Sequence, residues 1–201
     1  MNPRTFKAAD AQRLDDPERL KWLPPQELIS ALSISVGMTV ADIGAGTGYF
    51  AIPFAHAVEP TGTVFAVDFQ AGMLAVLRQK LGSPGAPRNV RLLEGSANST
   101  GVPESACDVV LLANIWHELD DHATALREAA RILKSGGVIA VLDWRDDVTR
   151  PPGPPLEHRV PVAKTRSALE DAGFQFLQDT SFGRYSYLVV GTRPDGFYPA
   201  R

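Results

Sequence analysis

The stretch of sequence that decides the fold is Val40-Ala41-Asp42-Ile43-Gly44-Ala45-Gly46-Thr47-Gly48-Tyr49-Phe50. An apolar run typical of a buried strand leads into three closely spaced glycines, and a helical pattern over residues 48–58 follows. Glycines are favoured where the backbone turns sharply and lies against a ligand, because no Cβ stands in the way. In an open parallel sheet such a turn lies at the carboxyl end of the first strand, where ligands bind.

The same alternation of strand and helix continues beyond this stretch. Further strand-like runs are predicted at residues 63–67, 90–93, 108–113 and 138–142, with helices at 70–81 and 121–133. Almost wholly apolar strands that alternate with helices of about ten residues or more are covered on both faces of a parallel sheet. After residue 144 come a proline-rich loop, a helix and two consecutive strands, near 174–177 and at 185–190, which predict an antiparallel hairpin. The predicted fold class is α/β, a Rossmann-like, mostly parallel sheet with helices on both faces.

The composition is that of one globular domain. The chain has 201 residues, of which 44% are hydrophobic and 21% charged, and this suits a single core. We predict an N-terminal helical segment at 1–36, the main domain at 37–193 and a tail at 194–201. A net charge of −3 provides no basic excess for a phosphate backbone, so nucleic acid is not an expected partner.

Neither a membrane span nor a secretory signal is predicted. No apolar run approaches the roughly 20 residues that a membrane helix needs, and the polar first 19 residues lack an apolar signal core. We therefore expect a cytoplasmic protein. The single cysteine, Cys107, excludes an intrachain disulfide and is expected to be buried as a small apolar residue. The sequence leaves the oligomeric state open.

The glycine spacing and Asp42 indicate which ligand the loop binds. A dinucleotide fingerprint, Gly-x-Gly-x-x-Gly, would place its third glycine where Tyr49 stands, whereas the glycine here is Gly48. Asp42 ends the strand two residues before Gly44. A carboxylate there would repel a pyrophosphate but attract the cationic α-amino group of an amino-acid ligand. The comparison favours S-adenosylmethionine (SAM) over a nicotinamide dinucleotide.

A second carboxylate, Asp68, ends the next predicted strand, 24 residues beyond Gly44. A carboxylate only accepts hydrogen bonds, so at this position it can take both hydroxyls of a ribose. Phe69 follows it and can lie against an adenine face. By itself Asp68 could equally be a turn residue at the end of a strand. Together with Asp42 and the glycine loop, it indicates a nucleoside with an attached amino acid.

Residues 17–191 resemble the class I SAM-dependent methyltransferases, and within them the small-molecule branch that includes the enzymes of ubiquinone and menaquinone biosynthesis. Motif I of that family is matched by residues 41–48, motif II by 67–68, and the helix and glycine turn before the fifth strand by 126–137. The resemblance implies the strand order 3-2-1-4-5-7-6 with strand 7 antiparallel. It also implies transfer of a methyl group from SAM, by in-line displacement, to a small-molecule acceptor that the sequence does not identify.

The resemblance also implies a set of cofactor-binding residues, with one departure. Many relatives carry an aspartate after strand three that accepts from the adenine amino group. Ser96 takes that position here, so a serine oxygen or the backbone of Ala97 would meet the adenine edge without a charge. Asn114, after strand four, is implied along the methionine part of SAM. The predicted cofactor-binding residues are Asp42, Gly44, Ala45, Gly46, Gly48, Asp68, Phe69, Met73, Ser96, Ala97 and Asn114.

His117, which follows strand four, is the candidate catalytic residue. The ordinary pKa of an imidazole lies close to neutrality, which suits a proton acceptor near the methyl group. The simpler alternative is a histidine that caps a helix or lines the substrate site without transferring a proton. His122 lies five residues later, so the His-Glu-x-x-His spacing of zinc proteases is not met and no metal site is predicted.

Two other functions stay open on the sequence alone. One is a catalytically silent SAM-binding module, since the residues of an acceptor site cannot be identified. The other, less favoured, is an NAD-dependent dehydrogenase of the same topology, against which Tyr49 and Asp42 both count. A nucleic-acid methyltransferase is not expected, because the Asn/Asp-Pro-Pro-Tyr motif is missing after strand four.

Overall fold

A seven-stranded sheet forms the centre of the molecule in this computed structural model, which describes residues 6–148 and 152–196. Its order is 3-2-1-4-5-7-6, and the neighbouring strands are parallel except for the two pairs that involve the last strand. The strands are β1 (Thr39–Ile43), β2 (Thr63–Asp68), β3 (Val90–Glu94), β4 (Cys107–Ala113), β5 (Leu133–Trp144), β6 (Gln175–Phe182) and β7 (Ser186–Thr192). The predicted fold class, strand order and antiparallel last strand are confirmed.

Helices cover both faces of this sheet. The α-helices are α1 (Pro25–Ala31), α2 (Ala51–Val58), α3 (Ala71–Leu81), α4 (His122–Ile132) and α5 (Val162–Asp171). Short 3-10 helices are η1 (Ala8–Asp15), η2 (Pro17–Lys21), η3 (Trp116–Glu118) and η4 (Leu156–His158). Among the described residues, no helix is both long enough and apolar enough to cross a bilayer.

Each face of the sheet has its own apolar core, because successive side chains of a strand point to opposite sides. In β4, Val110 and Leu112 belong to the core that contains α4 and α5, whereas Val109 and Leu111 belong to the core that contains α1, α2 and α3. Cys107 is buried at the start of this strand, as expected. The nearly continuous apolar sequence of β4 is therefore explained by burial on both faces.

Three boundaries differ from the sequence-based prediction. The helix after β1 begins at Ala51 instead of residue 48, because the glycine loop extends further. β5 begins at Leu133 and not at residue 138, since Cys107 pairs with Leu133 and Val109 with Val138. A bulge around Gly136 and Gly137 lies between these two pairs, where the sequence predicts the end of a helix. β6 continues to Phe182; most of its side chains are exposed and polar, so it carries no apolar pattern.

Parts of the predicted N-terminal segment and of the predicted tail, at 1–5 and 197–201, lie outside the described residues, as does the start of the proline-rich loop at 149–151. The division of the chain at residues 36 and 193 stays a prediction.

Candidate functional site

A cavity lies at the carboxyl ends of β1, β2 and β4, where the sequence predicts a ligand; we call it the strand-end cavity. Ten of the eleven residues predicted to bind a cofactor line it, and Gly48 does not. The ten are Asp42, Gly44, Ala45, Gly46, Asp68, Phe69, Met73, Ser96, Ala97 and Asn114. Their convergence follows from the topology, because the carboxyl ends of parallel strands meet at one edge of a sheet.

The glycines of the loop after β1 allow close contacts with different neighbouring side chains. Gly44, Gly46 and Gly48 have φ angles of +76°, +54° and +88°, in the left-handed region that favours glycine. A Cβ on Gly44 would collide with Ile115, which also lines the cavity, whereas a Cβ on Gly48 would collide with Leu77 of α3. Gly44 therefore lets the loop approach the cavity, and Gly48 lets it pack on a helix.

Asp42 is buried at the carboxyl end of β1. Its Oδ2 atom has no hydrogen-bond partner among the described residues, while the backbone amide of Ala51 donates to the carboxylate. Burial, and to a lesser extent the negative charge of Asp68, raise the pKa of Asp42 to about 7. An unsatisfied buried carboxyl group is costly, so this position is complementary to a cationic donor.

Asn114 places a second unpartnered oxygen in the same cavity. Its Oδ1 atom is buried and accepts no hydrogen bond from the part of the chain that is described. The residue has a φ of +56°, in the left-handed region that asparagine adopts more readily than most residues other than glycine, and its backbone amide donates to the carbonyl of Leu142 at 2.8 Å. An ammonium group, which carries three donors, suits a cavity that offers acceptors at both Asp42 and Asn114.

Asp68 is tied to the backbone around it. Its Oδ2 atom accepts from the amide of Gly46 and its Oδ1 atom from the amide of Gln70, both at 2.9 Å. Burial raises the pKa of Asp68, and these two hydrogen bonds offset only part of that effect. Each carboxylate oxygen has a further lone pair, so the side chain can still accept hydrogen bonds from a ligand.

The opposite wall of the strand-end cavity comes from β3 and α3. Ser96 and Ser99 exchange two backbone hydrogen bonds, of 3.0 and 3.1 Å, and the tight turn that results places Ser96 and Ala97 in the lining. Phe69 is half exposed, whereas Met73 is buried against the core. These surfaces are apolar or neutral, as a purine requires.

An N-terminal segment, residues 6–22, which we call the strap, forms the remaining wall. The amide of Phe6 donates to Oε1 of Glu118, and the amide of Ala8 donates to Oε1 of Gln70, both at 3.0 Å. Arg19, from the strap, is the cationic side chain in the lining among the described residues. Its buried guanidinium lies 4.1 Å over the ring of Tyr49.

A second cavity, the outer cavity, adjoins the first. The two share Phe6, Leu14, Arg19, Asn114 and Glu118. The outer cavity is lined in addition by aromatic, histidine and proline-loop residues, among them Trp22, Trp144, His117, His158 and residues 152–155. The ring centroids of Trp22 and Trp144 are 5.4 Å apart and the ring planes are inclined by 39°, so two aromatic rings contribute to one wall.

His117 lines the outer cavity and not the strand-end cavity. Its Nδ1 atom lies 2.8 Å from Oδ1 of Asp143, and its backbone amide donates to Oδ2 of Asp143 at 2.7 Å. Its Nε2 atom lies 3.9 Å from Oε1 of Glu118. Burial disfavours the imidazolium, but the charge and the hydrogen bond of Asp143 outweigh burial, so the pKa of His117 is raised.

Glu118 lies between the two cavities and is mostly buried. Burial raises the pKa of Glu118 to about 7, although the hydrogen bond from Phe6 and the neighbouring His117 act in the opposite direction. The sequence analysis did not identify Glu118, Arg19 or Asp143. Only Asp143 had a usable signal, because it follows an apolar strand as Asp42 and Asp68 do.

Comparison with known proteins agrees with this geometry. A family model described as a methyltransferase domain matches residues 41–141, which span the glycine loop, Asp68 and β4. The chain belongs to this methyltransferase family. The family and the fold imply SAM as the cofactor, and the unpartnered oxygens of Asp42 and Asn114 fit the ammonium group of that molecule.

Two curated relatives of this chain come from bacteria. This chain is 30% identical over 167 residues to the ubiquinone/menaquinone biosynthesis C-methyltransferase UbiE of Hahella chejuensis. The aligned residues cover 83% of this chain and 65% of that protein. This chain is also 30% identical over 174 residues to the demethylmenaquinone methyltransferase of Listeria monocytogenes. The aligned residues cover 87% of this chain and 69% of that protein. The chain therefore spans about two thirds of the length of these relatives, and slightly less for the first.

Solved structures show the same fold. A SAM-dependent methyltransferase from Aquifex aeolicus superposes with a TM-score of 0.88 at 29% identity, covering 94% of this chain and 99% of that one. The [4+2]-cyclase SpnF superposes with a TM-score of 0.73 at 15% identity, covering 98% and 85%. Because a protein named as a cyclase has this fold, the fold alone does not establish methyl transfer. None of these relatives supports the dehydrogenase alternative.

Proposed function

We propose that this protein transfers the methyl group of SAM to a small molecule bound in the outer cavity. The observation that carries the proposal is the pair of unpartnered oxygens, on Asp42 and Asn114, in a cavity that opens into a second one. The shared residues Asn114 and Glu118 lie where a cofactor in one cavity and an acceptor in the other would meet.

Each part of the cofactor has a candidate partner in the strand-end cavity. Asp42 and Asn114 would accept from the ammonium group, and Arg19 would bind the carboxylate. Asp68 would accept from the ribose hydroxyls. The purine would lie among the remaining predicted residues, Phe69, Met73, Ser96 and Ala97. When bound, SAM supplies a methyl group that its positive sulfur makes electrophilic.

The protein's own contribution to such a reaction is mainly positional. The strap and residues 152–155 of the proline-rich loop line the outer cavity and would shield a bound acceptor from water on those sides. Holding two reactants in line can lower a barrier by roughly 7–11 kcal/mol at best. A proton acceptor is needed only when the reacting atom of the acceptor carries a proton, and His117 is our candidate for that role.

The outer cavity favours an aromatic acceptor, because Trp22 and Trp144 place aromatic rings in its wall. His117 and His158 lie on the same cavity and suit an acceptor with hydroxyl groups. The printed names of the curated relatives concern ubiquinone and menaquinone biosynthesis. We therefore infer a hydroxylated aromatic ring of the quinol type as the acceptor class. We also propose the cytoplasm as the location.

Two measurements test this function. Calorimetric titration with SAM, S-adenosylhomocysteine and NAD should show binding of the first two; binding of NAD alone would refute the proposal. Labelled SAM with a panel of quinols, phenols, amines and thiols should then give methylated product with the hydroxylated aromatics. Tight SAM binding with no turnover on this panel would instead favour the silent module, and His117→Ala should lower turnover while sparing SAM affinity.

A further inference from the structure

Asp143 is a buried carboxylate near the end of β5 that forms hydrogen bonds with His117 and Trp144. It is 1% exposed. Its Oδ1 atom accepts from the amide of Trp144 at 2.7 Å and lies 2.8 Å from Nδ1 of His117. Its Oδ2 atom accepts from the backbone amide of His117 at 2.7 Å. Asp143 therefore holds both the backbone and the ring of His117.

These contacts decide where the proton of a neutral His117 lies. A carboxylate has no proton to donate, so Nδ1 of His117 must be the donor of the hydrogen bond to Asp143. In a neutral imidazole the other nitrogen, Nε2, is then the one with a lone pair. The hydrogen bond from the backbone amide of His117 to Oδ2 of Asp143 fixes the start of the His117 side chain. Asp143 therefore also sets the orientation of Nε2.

The other charged groups around His117 modulate this arrangement. Glu118, next to it in η3, has its Oε1 atom 3.9 Å from Nε2 and favours the imidazolium. Arg159, which follows η4, disfavours the imidazolium. Arg159 is itself held away by hydrogen bonds to the carbonyls of Arg145 and Pro154. Asp143 lies at hydrogen-bond distance from the ring, with its Oδ1 atom 2.8 Å from Nδ1.

His122 provides a contrast within the same chain. Its ring stacks on Trp116, with centroids 4.0 Å apart, and its Nε2 atom lies 2.9 Å from the carbonyl oxygen of Trp116. It lines neither cavity. Its contacts are those of a packing histidine, whereas His117 combines a carboxylate partner with a place on a cavity.

We propose that Asp143 is a positioning residue that keeps the Nδ1 proton on His117, so that Nε2 accepts the proton that the acceptor loses during methyl transfer. The inference rests on the proposed function. In the step, the acceptor atom bonds to the methyl carbon, and the carbon–sulfur bond breaks with both electrons passing to sulfur. The acceptor's proton moves to Nε2, and Asp143 stabilises the imidazolium until the proton leaves to water.

The first test reads the tautomer directly and needs no acceptor. Nitrogen-15 NMR of the four histidines of the ligand-free protein, assigned with a His117→Gln variant, should show His117 protonated at Nδ1 at a pH where the ring is neutral. Asp143→Asn should raise the fraction of His117 protonated at Nε2, because an amide oxygen accepts from Nδ1 more weakly than a carboxylate does and the amide NH2 can donate to Nδ1. His117 protonated at Nε2 in the wild-type protein, or an unchanged tautomer in a folded Asp143→Asn variant, would overturn the proposal.

The second test reads catalysis and separates positioning from general packing. With an acceptor from the quinol panel, Asp143→Asn should lower turnover by about 100-fold or more, the usual range for loss of an acid–base group, with SAM affinity unchanged. Adding Asp143→Asn to His117→Gln should lower turnover little further, because the two residues act as a unit. Asp147→Asn, which removes an exposed carboxylate paired with Arg145, is the matched control and should leave turnover unchanged.

The outcomes distinguish this inference from the proposed function. Independent losses in the double variant, or full turnover in Asp143→Asn, would overturn the role of Asp143 while methyl transfer stood. Absence of turnover in the wild-type protein would refute the proposed function, and with it the proton-accepting step that rests on it. The NMR result would then still report whether Asp143 sets the tautomer.

Discussion

Asp42 and Asp143 are buried carboxylates at the ends of two parallel strands of one sheet, yet their hydrogen bonding is opposite. Oδ2 of Asp42 has no partner in the described part of the chain, whereas both oxygens of Asp143 accept hydrogen bonds from His117 or Trp144. The charge of Asp143 is thus satisfied by the protein. The Oδ2 atom of Asp42 lacks such a partner among the described residues and is available to a ligand. The first two predictions follow from this difference.

Binding of SAM should become tighter as the pH rises from 6 to 8. The pKa of Asp42 is raised to about 7, so below that pH its carboxyl is protonated and the ammonium group must displace the proton. Linkage then gives up to about a tenfold loss of affinity per pH unit below the pKa. Calorimetry in two buffers of different ionisation enthalpy should detect proton release at pH 6.

The control for this prediction is 5′-methylthioadenosine, which lacks the amino-acid part of SAM and should bind with little dependence on pH. Asp42→Asn should weaken SAM and remove most of its pH dependence; this isolates Asp42 from Glu118, whose pKa is also about 7. A SAM affinity that is flat between pH 6 and 8 would show that the ammonium group does not bind at Asp42.

Asp42→Asn should also stabilise the ligand-free protein, more at pH 8 than at pH 5. A carboxyl group with a raised folded-state pKa lowers stability as pH rises from its ordinary pKa to about 7, because the fold disfavours the charged form. The neutral amide removes that cost. One pKa unit corresponds to about 1.4 kcal/mol, and each kcal/mol to about 2–4 °C in Tm. Thermal unfolding followed by circular dichroism at both pH values measures the gain, and a larger gain at pH 5 would contradict the sign.

Arg19→Gln should remove the preference for SAM over decarboxylated SAM, which keeps the ammonium group but lacks the carboxylate. Arg19 is the cationic side chain lining the strand-end cavity in residues 6–148 and 152–196, and a hydrogen bond to a charged group contributes about 1.5–3 kcal/mol. Calorimetry should show that loss for SAM and little change for decarboxylated SAM. Equal losses for both ligands would mean that Arg19 only supports the strap, and Arg19→Lys tests whether charge alone suffices.

Asp68→Ala should weaken SAM and 5′-methylthioadenosine equally, by about 1.5–3 kcal/mol. Both ligands contain the ribose that Asp68 would bind, and the amides of Gly46 and Gln70 fix the position of this carboxylate. The exposed Asp147 again supplies a matched control as Asp147→Asn. If either ligand bound Asp68→Ala as well as the wild-type protein, Asp68 would not be a ribose ligand.

Gly48→Ala should destabilise the fold by about 1–3 kcal/mol, the cost of overpacking, and leave SAM affinity of the folded protein unchanged. Gly48 has a positive φ, does not line the strand-end cavity, and has no space for a Cβ beside Leu77. Urea unfolding measures the loss. In a Leu77→Ala background the additional cost of Gly48→Ala should shrink, and a fully additive cost would exclude the collision as the cause.

Much of the fold could be predicted because β1, β2, β4 and residues 138–142 of β5 are largely apolar runs and helices alternate with them. Asp42 and Asp68 could be predicted as site residues for the same reason, since each lies at the end of such a run. Asp143 carries the same sequence signal, because it follows the apolar run at residues 138–142. Gly48 shows the limit of a motif, which does not distinguish a glycine beside a ligand from one packed on a helix.

Arg19 and Glu118 could not be predicted, for a different physical reason. Their place in the cavities depends on how the strap crosses the sheet edge, and the hydrogen bond from Phe6 to Glu118 joins residues 112 positions apart. Short 3-10 helices carry little periodicity of their own, and such long-range contacts decide their path.

The strap walls both cavities yet adds no strand to the sheet. Except at Trp22, which packs against the core that contains α1, α2 and α3, substitutions in the strap are expected to change the lining of the cavities and to leave the apolar core of the sheet intact. Such a separation favours divergence: descendants of one ancestral enzyme could acquire new acceptors by exchanging this short piece of chain. Chimeras that swap residues 6–22 between relatives would be the natural starting point for engineering.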